Sequence, residues 1–268
     1  MKVLYLSHSW PFSRKPYWGC FIKESVDHVA KKGVSVEVVS PKPYLYGGRT
    51  SESYNIFFPK YLYWLPKKLF YHKTSQSFER LKKHVLKKCQ KPDVIHAHTS
   101  FLDASLGRVL AKEWNVPLII HARGTLERKV IDENPKVCYV MVKNFDSATK
   151  IVCVSEELKN RLLVLGFDKT IVIPNGVDTN EFQPLSQDAT RTKLGIGLNR
   201  KIVLFVGDFR PEKGIRYFCE AAEKVTTPNT IFYAIGSGSD LPNKHVVRIR
   251  TVPHSMINYW LKIGRAHV

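Results

Sequence analysis

Short apolar runs alternate with longer amphipathic segments along the first two thirds of the chain. The apolar runs predict strands at residues 3–7, 34–40, 94–97, 117–121, 151–154 and 171–173. Apolar residues recur at helical spacing in segments 21–32, 104–114 and 156–165. Gly33 and Gly166 follow two of these segments, as glycine often does at a helix end. Alternating strands and helices are typical of a parallel α/β sheet, so residues 1–178 are predicted to form a complete α/β domain.

The same alternation starts again after a polar connection at residues 179–200. Strands are predicted at 202–206, 231–235 and 246–249, with helices from about 213 to 225 and over 256–262. Three strands form a small sheet with an exposed edge and an uncovered apolar face. Residues 179–262 are therefore predicted to be a second α/β domain that is incomplete. The tail 263–268 is expected to be non-native, because its residues can be encoded by the opening bases of a widely used sequencing adapter.

The composition fits a globular protein of the reducing cytosol. Hydrophobic residues make up 44% of the chain, and no apolar run approaches the roughly 18 residues of a membrane-spanning helix. The five cysteines are odd in number, widely spaced and without a CxxC pair, which disfavours a disulfide framework or a zinc site. We therefore expect a cytoplasmic protein.

Positive charge is concentrated in one segment. The formal net charge is +19, and residues 60–91 hold ten Lys or Arg against one acidic residue, Glu79. The segment also contains the aromatic residues Tyr61, Tyr63, Trp64, Phe70, Tyr71 and Phe78. Lysines beside aromatic residues are typical of a surface that meets anionic lipid headgroups, here at the inner face of a membrane. A solvated helix with a lysine-rich outer face explains the pattern equally well. Nucleic acid is not expected as a partner, since no recognition motif accompanies the charge.

The loop at residues 207–214 carries the most informative chemical pattern. In open parallel sheets, ligands bind beyond the carboxyl ends of the strands. Gly207 at a strand end lets a ligand approach the backbone closely. Pro211 suits a helix start, whose free N–H groups attract phosphate, and Lys213 adds a positive charge there. The combination suits a diphosphate leaving group, on which negative charge builds up as its bond breaks.

Other polar positions have structural explanations. His96 and His98 follow a strand, but no third ligand accompanies them at suitable spacing, so a metal site is not expected. Gly236 and Gly238 resemble part of a dinucleotide fingerprint that lacks its third glycine, so an NAD site is not expected. Ser155 lacks the flanking glycines of a nucleophile elbow and is predicted to cap a helix.

Several motifs together resemble those of family 4 glycosyltransferases. They are Asp93-Val-Ile-His-Ala-His98, Val154-Ser155-Glu156, Pro174-Asn-Gly-Val-Asp178 followed by Phe182 and Pro184, and Val206-Gly207 with Glu212-Lys213-Gly214. Each motif is weak alone, but their order and spacing are those of the family. The resemblance runs from residue 1 to about 262, and residues 45–90 are the least typical part.

The resemblance implies a GT-B fold, in which two Rossmann-like domains with parallel sheets face each other across a cleft. The first domain would bind mainly the acceptor, and the second mainly a nucleoside-diphosphate sugar. Such enzymes typically retain the anomeric configuration and use no bound metal and no cofactor besides the donor substrate. The acceptor would be a saccharide or a lipid-linked saccharide of a cell-surface polysaccharide.

The resemblance also assigns roles to individual residues. Lys213 matches the lysine that holds the donor diphosphate, and Arg123 stands where many members have histidine, so both are expected to be catalytic. The residues expected to bind the donor are Gly19, Gly207, Arg210, Lys213, Gly236 and Gly238. The residues expected on the acceptor side or in the cleft are His98, Gly124 and Glu127.

Three departures from the family pattern bear on these roles. Asp208 stands where the family commonly has arginine, so Arg210 is expected to supply the missing charge. The first loop has Trp18-Gly19 in place of a glycine pair, which leaves the acceptor contacts open. The paired glutamates that normally grip the ribose and the sugar are absent. Two alternatives therefore stay open, namely an inactive truncated fragment and a GT-B sugar-nucleotide epimerase, which would be marked by carboxylates and histidines acting as acid and base.

Overall fold

Parallel β-sheets form the centres of two units of the chain. The computed structural model describes residues 1–12, 18–44, 53–62, 70–124, 127, 134–238 and 243–264. The chain divides into an N-terminal unit, Met1–Gly176, and a C-terminal unit, Val177–Val268. In each unit parallel strands alternate with helices, so the predicted α/β class is confirmed.

The larger sheet belongs to the N-terminal unit. The described strands of this unit are β1 (Lys2–Leu6), β2 (Ser35–Val39), β3 (Lys42–Pro43), β4 (Asn55–Phe57), β5 (Lys60–Tyr61), β6 (Val94–Ala97), β7 (Leu118–Ala122), β8 (Lys150–Cys153) and β9 (Thr170–Val172). Seven of them form a sheet in the order β4-β2-β1-β6-β7-β8-β9, and β3 pairs separately with β5. The helices are α1 (Cys20–Lys31), α2 (Thr74–Arg80), α3 (Lys82–Lys88), α4 (Leu102–Trp114), α5 (Pro135–Asp146) and α6 (Glu156–Val164), with a 3-10 turn at Tyr71–Lys73.

Both faces of the larger sheet are covered, because successive side chains of a strand point to opposite faces. On one face, Tyr5 and Val38 belong to an apolar cluster with Ile22 and Val26 of α1. The opposite face belongs to a larger cluster that includes Leu4, Leu6, Ile95, Ala97, Phe101, Leu106, Met141 and Leu158. The carboxyl ends of the central strands are thereby held at one edge of a rigid core.

The smaller sheet belongs to the C-terminal unit. Its strands are β10 (Lys201–Val206), β11 (Thr230–Ile235) and β12 (Val246–Ile249), in that order and all parallel. The described helices are α7 (Gln187–Lys193), α8 (Ile215–Lys224) and α9 (His254–Lys262), and a 3-10 turn at Pro211–Lys213 precedes α8. Val203 and Val206 of β10 are 39% and 41% exposed, so part of the apolar surface of this sheet is accessible.

Helix α7 lies in the segment predicted to be a polar connection, and that prediction is wrong for this helix. Ser186 caps α7 by accepting a hydrogen bond from a backbone N–H of the first turn. Buried Arg191 donates to the carbonyl oxygens of Leu198 and Ile263, both at 2.7 Å. Ile263 is itself fully buried, so the first residue of the tail packs into this unit, while the origin of the tail stays a prediction.

The basic segment at residues 60–91 is only partly described, since residues 63–69 lie outside the described part. Tyr61 and Phe78 are buried against each other, with ring centroids 4.6 Å apart. The exposed lysines of α3 are Lys83, Lys87 and Lys88. The described part therefore fits a helical segment with a lysine-rich outer face, because these two aromatic rings point into the core and not toward a membrane. Among the described helices, none has the length and apolarity needed to cross a bilayer.

Candidate functional site

A pocket of about 280 Å³ opens in the N-terminal unit at the carboxyl ends of β1, β6 and β7. Its lining includes His8, Phe21, Tyr71, His98, Arg123 and Glu127. Ligands bind at this end of the strands in open parallel sheets, so the pocket is the candidate site of this unit. Two larger depressions of the same unit, of about 630 and 510 Å³, contain none of the predicted site residues.

Arg123 follows β7, and its guanidinium contacts three groups. Nη1 donates to Oδ1 of Asn175 at 2.5 Å, and Nη2 donates to Nδ1 of His98 at 2.7 Å. The guanidinium also lies over the ring of Phe21, 5.0 Å from its centroid. Burial lowers the pKa of Arg123 to about 10, and the charge of Glu127 opposes that shift. Arg123 therefore stays a cation near neutral pH and is held in a fixed position at the wall of the pocket.

Glu127 is a buried carboxyl group at the same wall. One oxygen accepts a hydrogen bond from the hydroxyl of Ser100, and the other accepts one from the backbone N–H of Gly124 at 2.8 Å. Burial raises the pKa of Glu127, and these hydrogen bonds oppose the shift. Both oxygens are engaged within the protein, so Glu127 holds the turn after β7 to the loop that precedes α4.

Three histidines form a stack on one face of the sheet. The rings of His96, His98 and His121 have centroids 4.4 to 5.5 Å apart. Burial, followed by the charge of Arg123, lowers the pKa of His96 to about 3 and that of His121 to about 2. Burial also holds the pKa of His98 well below its usual value. All three imidazoles are therefore neutral at physiological pH.

This histidine stack has the ligand atoms of a metal site without the electrostatics of one. One ring nitrogen of each histidine lies within 4.8 Å of the other two. The pairing of β6 with β7 supplies His121 as the third histidine that the sequence spacing lacks. The rings are stacked, with interplanar angles of 1° to 25°, whereas a shared metal must lie near the plane of every ligand ring. The guanidinium of Arg123, in contact with His98, would also repel a bound cation. That the protein uses no metal stays our prediction.

His8, just after β1, is held on three sides. Its backbone N–H donates to Oδ1 of Asp103 at 2.8 Å, and its Nδ1 lies 3.1 Å from each carboxylate oxygen of Asp103. Its carbonyl oxygen accepts a hydrogen bond from Nζ of Lys42 at 3.0 Å. Asp103, in the first turn of α4, is fully buried and also accepts from the hydroxyl of Thr99 at 2.9 Å. Sequence reasoning missed this cluster, because its members come from three elements that are distant along the chain.

Gly19 precedes α1, and a close backbone contact explains why it is glycine. Its φ is 74°, in the left-handed region, and a Cβ at this position would lie 1.8 Å from the carbonyl oxygen of Ser9. Any other residue would therefore displace the loop between β1 and α1. The contact of Gly19 with the donor stays a prediction.

In the C-terminal unit, the loops after β10 and β11 lie side by side. The backbone N–H of Phe209 donates to the carbonyl oxygen of Ser237 at 2.7 Å, and Phe209 forms a parallel bridge with Gly238. Gly236 has φ 155°, and a Cβ there would lie 1.9 Å from the carbonyl oxygen of Gly207. Three of the four glycines predicted to bind the donor, Gly207, Gly236 and Gly238, are therefore neighbours at the carboxyl edge of the smaller sheet.

The α-helix that follows the 207–214 loop begins later than the sequence predicts. Pro211–Lys213 forms a 3-10 turn, and α8 starts at Ile215. The reason is Gly214, whose φ of 79° interrupts the helical backbone between the two. Lys213 is exposed at the end of the turn, directly before the glycine that leads into α8.

Asp208 is turned toward neighbouring side chains of the same unit. Its carboxylate accepts a hydrogen bond from the hydroxyl of Ser237 at 2.7 Å and pairs with Nη2 of Arg210 at 3.1 Å. The side chains of Arg210 and Asp208 are 63% and 43% exposed. An ion pair this exposed adds little stability, so Arg210 is able to exchange it for an anionic ligand.

Apart from Gly19, which does not line the N-terminal pocket, the predicted site residues form two groups, one in each unit. The group at the N-terminal pocket contains His98, Arg123, Gly124 and Glu127. The group on the loops of the C-terminal unit contains Gly207, Arg210, Lys213, Gly236 and Gly238. The structure adds His8, Lys42, Asp103 and His121, none of which the sequence singles out.

Similar proteins identify the family. Residues 21–181 match the model of Glycosyltransferase Family 4. Over 97% of its length, the chain is 27% identical to the putative teichuronic acid biosynthesis glycosyltransferase TuaC of Bacillus subtilis (strain 168), of which it covers 73%. Over 57% of its length, it is 30% identical to the UDP-Gal:alpha-D-GlcNAc-diphosphoundecaprenol alpha-1,3-galactosyltransferase of Escherichia coli, of which it covers 42%.

A solved structure shares the fold of this chain. The sucrose-phosphate synthase (tll1590) of Thermosynechococcus elongatus matches with a TM-score of 0.77 over 98% of this chain and 74% of that chain, at 16% identity. This likeness confirms the GT-B fold that the motifs predict. The prediction of a glycosyltransferase is confirmed: because the family model matches more than half of the residues, the chain belongs to Glycosyltransferase Family 4.

Proposed function

We propose that this enzyme transfers a sugar from a nucleoside-diphosphate sugar to a saccharide or lipid-linked saccharide, with retention of anomeric configuration, in the synthesis of a cell-surface polysaccharide. The names of two relatives support the proposal. The Bacillus subtilis protein is named for teichuronic acid biosynthesis, and the Escherichia coli protein for UDP-Gal and a sugar on diphosphoundecaprenol. The chain spans 73% and 42% of these proteins, so their activities apply to it as proposals.

The observation that carries the proposal is the paired loop structure of the C-terminal unit. Gly207 and Gly236 approach each other closely, and a Cβ at Gly236 would lie 1.9 Å from the carbonyl oxygen of Gly207. This leaves bare backbone at the sheet edge, which a ligand can approach closely. Lys213 and Arg210 on the same loop supply the positive charge that stabilises the departing diphosphate.

Arg123 fits a role at the acceptor side in the N-terminal unit. It is a cation fixed by Asn175, His98 and Phe21 at the wall of the pocket. A guanidinium held in this way can donate hydrogen bonds to sugar hydroxyls or phosphate oxygens without a cost for ordering its side chain. His98, Gly124 and Glu127 would support this wall. The proposed reaction requires only the donor and the acceptor, so no metal or further cofactor is invoked.

Isothermal titration of UDP-glucose, UDP-galactose and UDP-N-acetylglucosamine into the protein tests the donor site. Lys213→Ala and Arg210→Ala are expected to weaken binding of the preferred sugar nucleotide by about tenfold or more, since a hydrogen bond to a charged group contributes about 1.5–3 kcal/mol. Lys224→Ala, at the other end of α8, removes the same charge and is the matched control. Equal affinities for Lys213→Ala and Lys224→Ala would contradict the proposed diphosphate site.

A sugar-nucleotide epimerase is the second candidate function. The observation that favours it is the gathering of carboxyl and imidazole groups at the N-terminal pocket, where Glu127, His98 and the His8–Asp103 pair lie together. Product analysis separates the two candidates. A transferase releases the nucleoside diphosphate and yields a glycosylated acceptor, whereas an epimerase returns an isomeric sugar nucleotide without any acceptor. The anomeric configuration of the product, read by proton NMR, tests the proposed retention.

We further propose that the enzyme works in the cytoplasm, at the inner face of the membrane, where a lipid-linked acceptor is located. The exposed lysines of α3 support an electrostatic attraction to anionic lipid. Tyr61 and Phe78 are buried and therefore do not take part in this contact.

A further inference from the structure

A groove of about 510 Å³ in the N-terminal unit, the α2–α5 groove, has no role in the transfer as described so far. Its lining includes Glu79 of α2, Arg108 of α4, and Lys136, Tyr139, Val140 and Lys143 of α5. His72 also lines this groove, while the preceding residue, Tyr71, lines the N-terminal pocket. The 3-10 turn Tyr71–Lys73 therefore borders both cavities.

The lining of the α2–α5 groove has an excess of positive charge. Arg108, Lys136 and Lys143 contribute three cations against one carboxylate, that of Glu79. Glu79 already forms an ion pair with Arg108, with 2.5 Å between Oε1 and Nη2. Among the residues that the structure describes, the two lysines therefore have no acidic partner. A concave surface with such an excess attracts an anion.

Lys136 occupies a position that disfavours a lysine in the absence of a bound anion. It lies in the first turn of α5, which contains no acidic residue, although this end of a helix dipole favours negative charge. Burial, followed by the charges of Lys136 and Lys73, lowers the pKa of the neighbouring His72. An anion in the groove would relieve both the repulsion between these groups and the unfavourable interaction with the dipole.

Arg108 is held in a fixed position with part of its guanidinium unused. Nε donates to Oδ1 of Asn144 at 3.2 Å, and Nη2 donates to Glu79. Asn144 is fully buried and donates to the carbonyl oxygens of Ser100 and Phe101, both at 3.0 Å. Nη1 makes no hydrogen bond to any described residue, so it can donate to a ligand without a cost for ordering the side chain.

An apolar surface lies beside these cations. Tyr139 is 61% exposed, and half-buried Val140 packs against the core of the unit. Nζ of Lys143 lies 4.5 Å from the centroid of the Tyr139 ring. Covering exposed apolar surface is favourable, so the groove suits an anion that carries an apolar substituent.

We propose that the α2–α5 groove binds the diphosphate and the first carbons of the lipid chain of a lipid-linked acceptor, while the N-terminal pocket holds its saccharide. The inference rests on the proposed transferase function. Arg108, Lys136 and Lys143 donate hydrogen bonds to the diphosphate oxygens. Tyr139 and Val140 contact the lipid chain. Because the 3-10 turn Tyr71–Lys73 borders both cavities, one acceptor molecule occupies them together.

The larger depression of the N-terminal unit, of about 630 Å³, does not offer these interactions. Its described lining has one acid, Asp27, and one base, Lys31. The carboxylate of Asp27 accepts hydrogen bonds from Nζ of Lys23 at 2.7 Å and from the hydroxyl of Tyr54 at 2.6 Å. This lining therefore has no excess of positive charge for an anion.

Isothermal titration of farnesyl diphosphate, a soluble lipid diphosphate, tests the α2–α5 groove. The α5 double variant, Lys136→Gln with Lys143→Gln, is expected to weaken binding by about tenfold or more, because it removes two charge-assisted hydrogen bonds. The control double variant, Lys112→Gln with Lys150→Gln, removes the same charge from the same unit and is expected to stay within about threefold of the wild type. Equal affinities of the two double variants would overturn the proposal.

All four of these lysines are exposed. Both double variants are therefore expected to unfold at the urea concentration of the wild type, which shows that a loss of binding is not a loss of structure.

Inorganic diphosphate tests the contribution of the lipid chain. It is expected to bind the wild type about tenfold or more weakly than farnesyl diphosphate, because it buries no apolar surface. Tyr139→Ser is expected to weaken binding of farnesyl diphosphate but not of inorganic diphosphate. Tyr44→Ser replaces another exposed tyrosine of the unit and is expected to change neither affinity. Equal wild-type affinities for the two probes would contradict a lipid ligand.

Vesicles of phosphatidylcholine and phosphatidylglycerol separate a lipid-linked acceptor from a membrane surface. If the α5 double variant loses binding to these vesicles but keeps the wild-type affinity for farnesyl diphosphate, the groove meets membrane phospholipid and the proposal is wrong.

Titration of the UDP-sugars distinguishes failure of the groove from failure of the proposed function. The α5 double variant is expected to bind them like the wild type. Sugar-nucleotide binding as proposed, together with equal farnesyl diphosphate affinities of the two double variants, would refute the groove alone. If farnesyl diphosphate binding depends on Lys136 and Lys143 while no sugar nucleotide binds, the proposed function fails and the lipid diphosphate site stands.

Discussion

Lys42 is a fully buried lysine enclosed by aromatic rings and carbonyl oxygens. Its Nζ lies 4.9 Å from the ring centroids of both Phe12 and Trp18. It donates to the carbonyl oxygens of His8 and Trp10, at 3.0 and 2.9 Å. Burial lowers the pKa of Lys42 from 10.5 to about 7, because rings and carbonyls do not fully replace the water around an ammonium ion. Lys42 thus links the loop after β1 to β3, and the free energy needed to bury its charge depends on pH.

Replacing Lys42 by methionine is expected to change the pH dependence of stability. Between pH 7 and 10.5, the unfolded chain binds this proton more fully than the folded chain, so the wild type gains stability as pH rises. From about pH 7 to about pH 9, the wild type should gain about 2 kcal/mol relative to Lys42→Met, since one pKa unit corresponds to ~1.4 kcal/mol. Urea unfolding at the two pH values measures the difference. The exposed Lys87→Met is the control, and an equal pH effect in both variants would contradict the buried, perturbed lysine.

At the scale of secondary-structure elements, the helix ends follow from short-range hydrogen bonds. Ser155 caps α6 as predicted, since its Oγ accepts a hydrogen bond from the backbone N–H of Leu158 at 3.2 Å. Glu156 and Glu157 occupy the first turn, where the helix dipole favours negative charge. The start of α6 is therefore specified by residues that are neighbours along the chain.

Removal of the cap should destabilise α6 measurably. Ser155→Ala is expected to lower the free energy of unfolding by about 1 kcal/mol, the usual contribution of a serine cap. Ser147→Ala serves as control, because its exposed hydroxyl only donates to the carbonyl of Lys143 at 2.9 Å, and its effect should stay within about 0.5 kcal/mol. Urea unfolding compares the two variants. Equal losses from both would mean that the Ser155 hydroxyl does not cap the helix.

At the scale of the whole molecule, the net charge of +19 favours association with anionic surfaces. We expect the protein to sediment with vesicles of phosphatidylcholine and phosphatidylglycerol but not with phosphatidylcholine alone. Combined replacement of Lys83, Lys87 and Lys88 by glutamine should weaken this binding by about tenfold or more, since each lysine near the surface contributes about 1 kcal/mol. Added salt should weaken the wild-type binding as well.

The matched control for the vesicle experiment removes three exposed lysines of the C-terminal unit, namely Lys201, Lys224 and Lys244. Both triple variants lose the same charge. A specific role for α3 requires that replacing its three lysines weakens vesicle binding more than the control variant does. Equal losses would show that only the total charge matters, and equal binding to both kinds of vesicle would contradict the proposed membrane association.

The sequence by itself determined most of the strands and the helices α1, α4, α6, α8 and α9, together with the family, but it did not predict β3, β4 and β5. Apolar periodicity is a property of neighbouring residues, so β1, β6 and β12 appear where the pattern predicts them. Lys213 and the glycines of the loops after β10 and β11 are recognisable for the same reason, because turns and helix starts constrain residues locally. The local pattern fails for α7, because its residues are mostly polar and resemble a connection between domains. The helix is held by Arg191, whose hydrogen bonds to Leu198 and Ile263 are visible only in the tertiary structure.

Only the tertiary structure decided which side chains meet at the N-terminal pocket. His8 joins Asp103 because parallel pairing of β1 with β6 brings the end of β1 next to the start of α4. His121 joins His98 through the register of β6 and β7. Strand pairing depends on contacts across the whole sheet, and no local pattern specifies it. Burial then lowers the pKa values of Lys42, His96, His98 and His121, because removal from water is a property of the packed fold and not of any single segment.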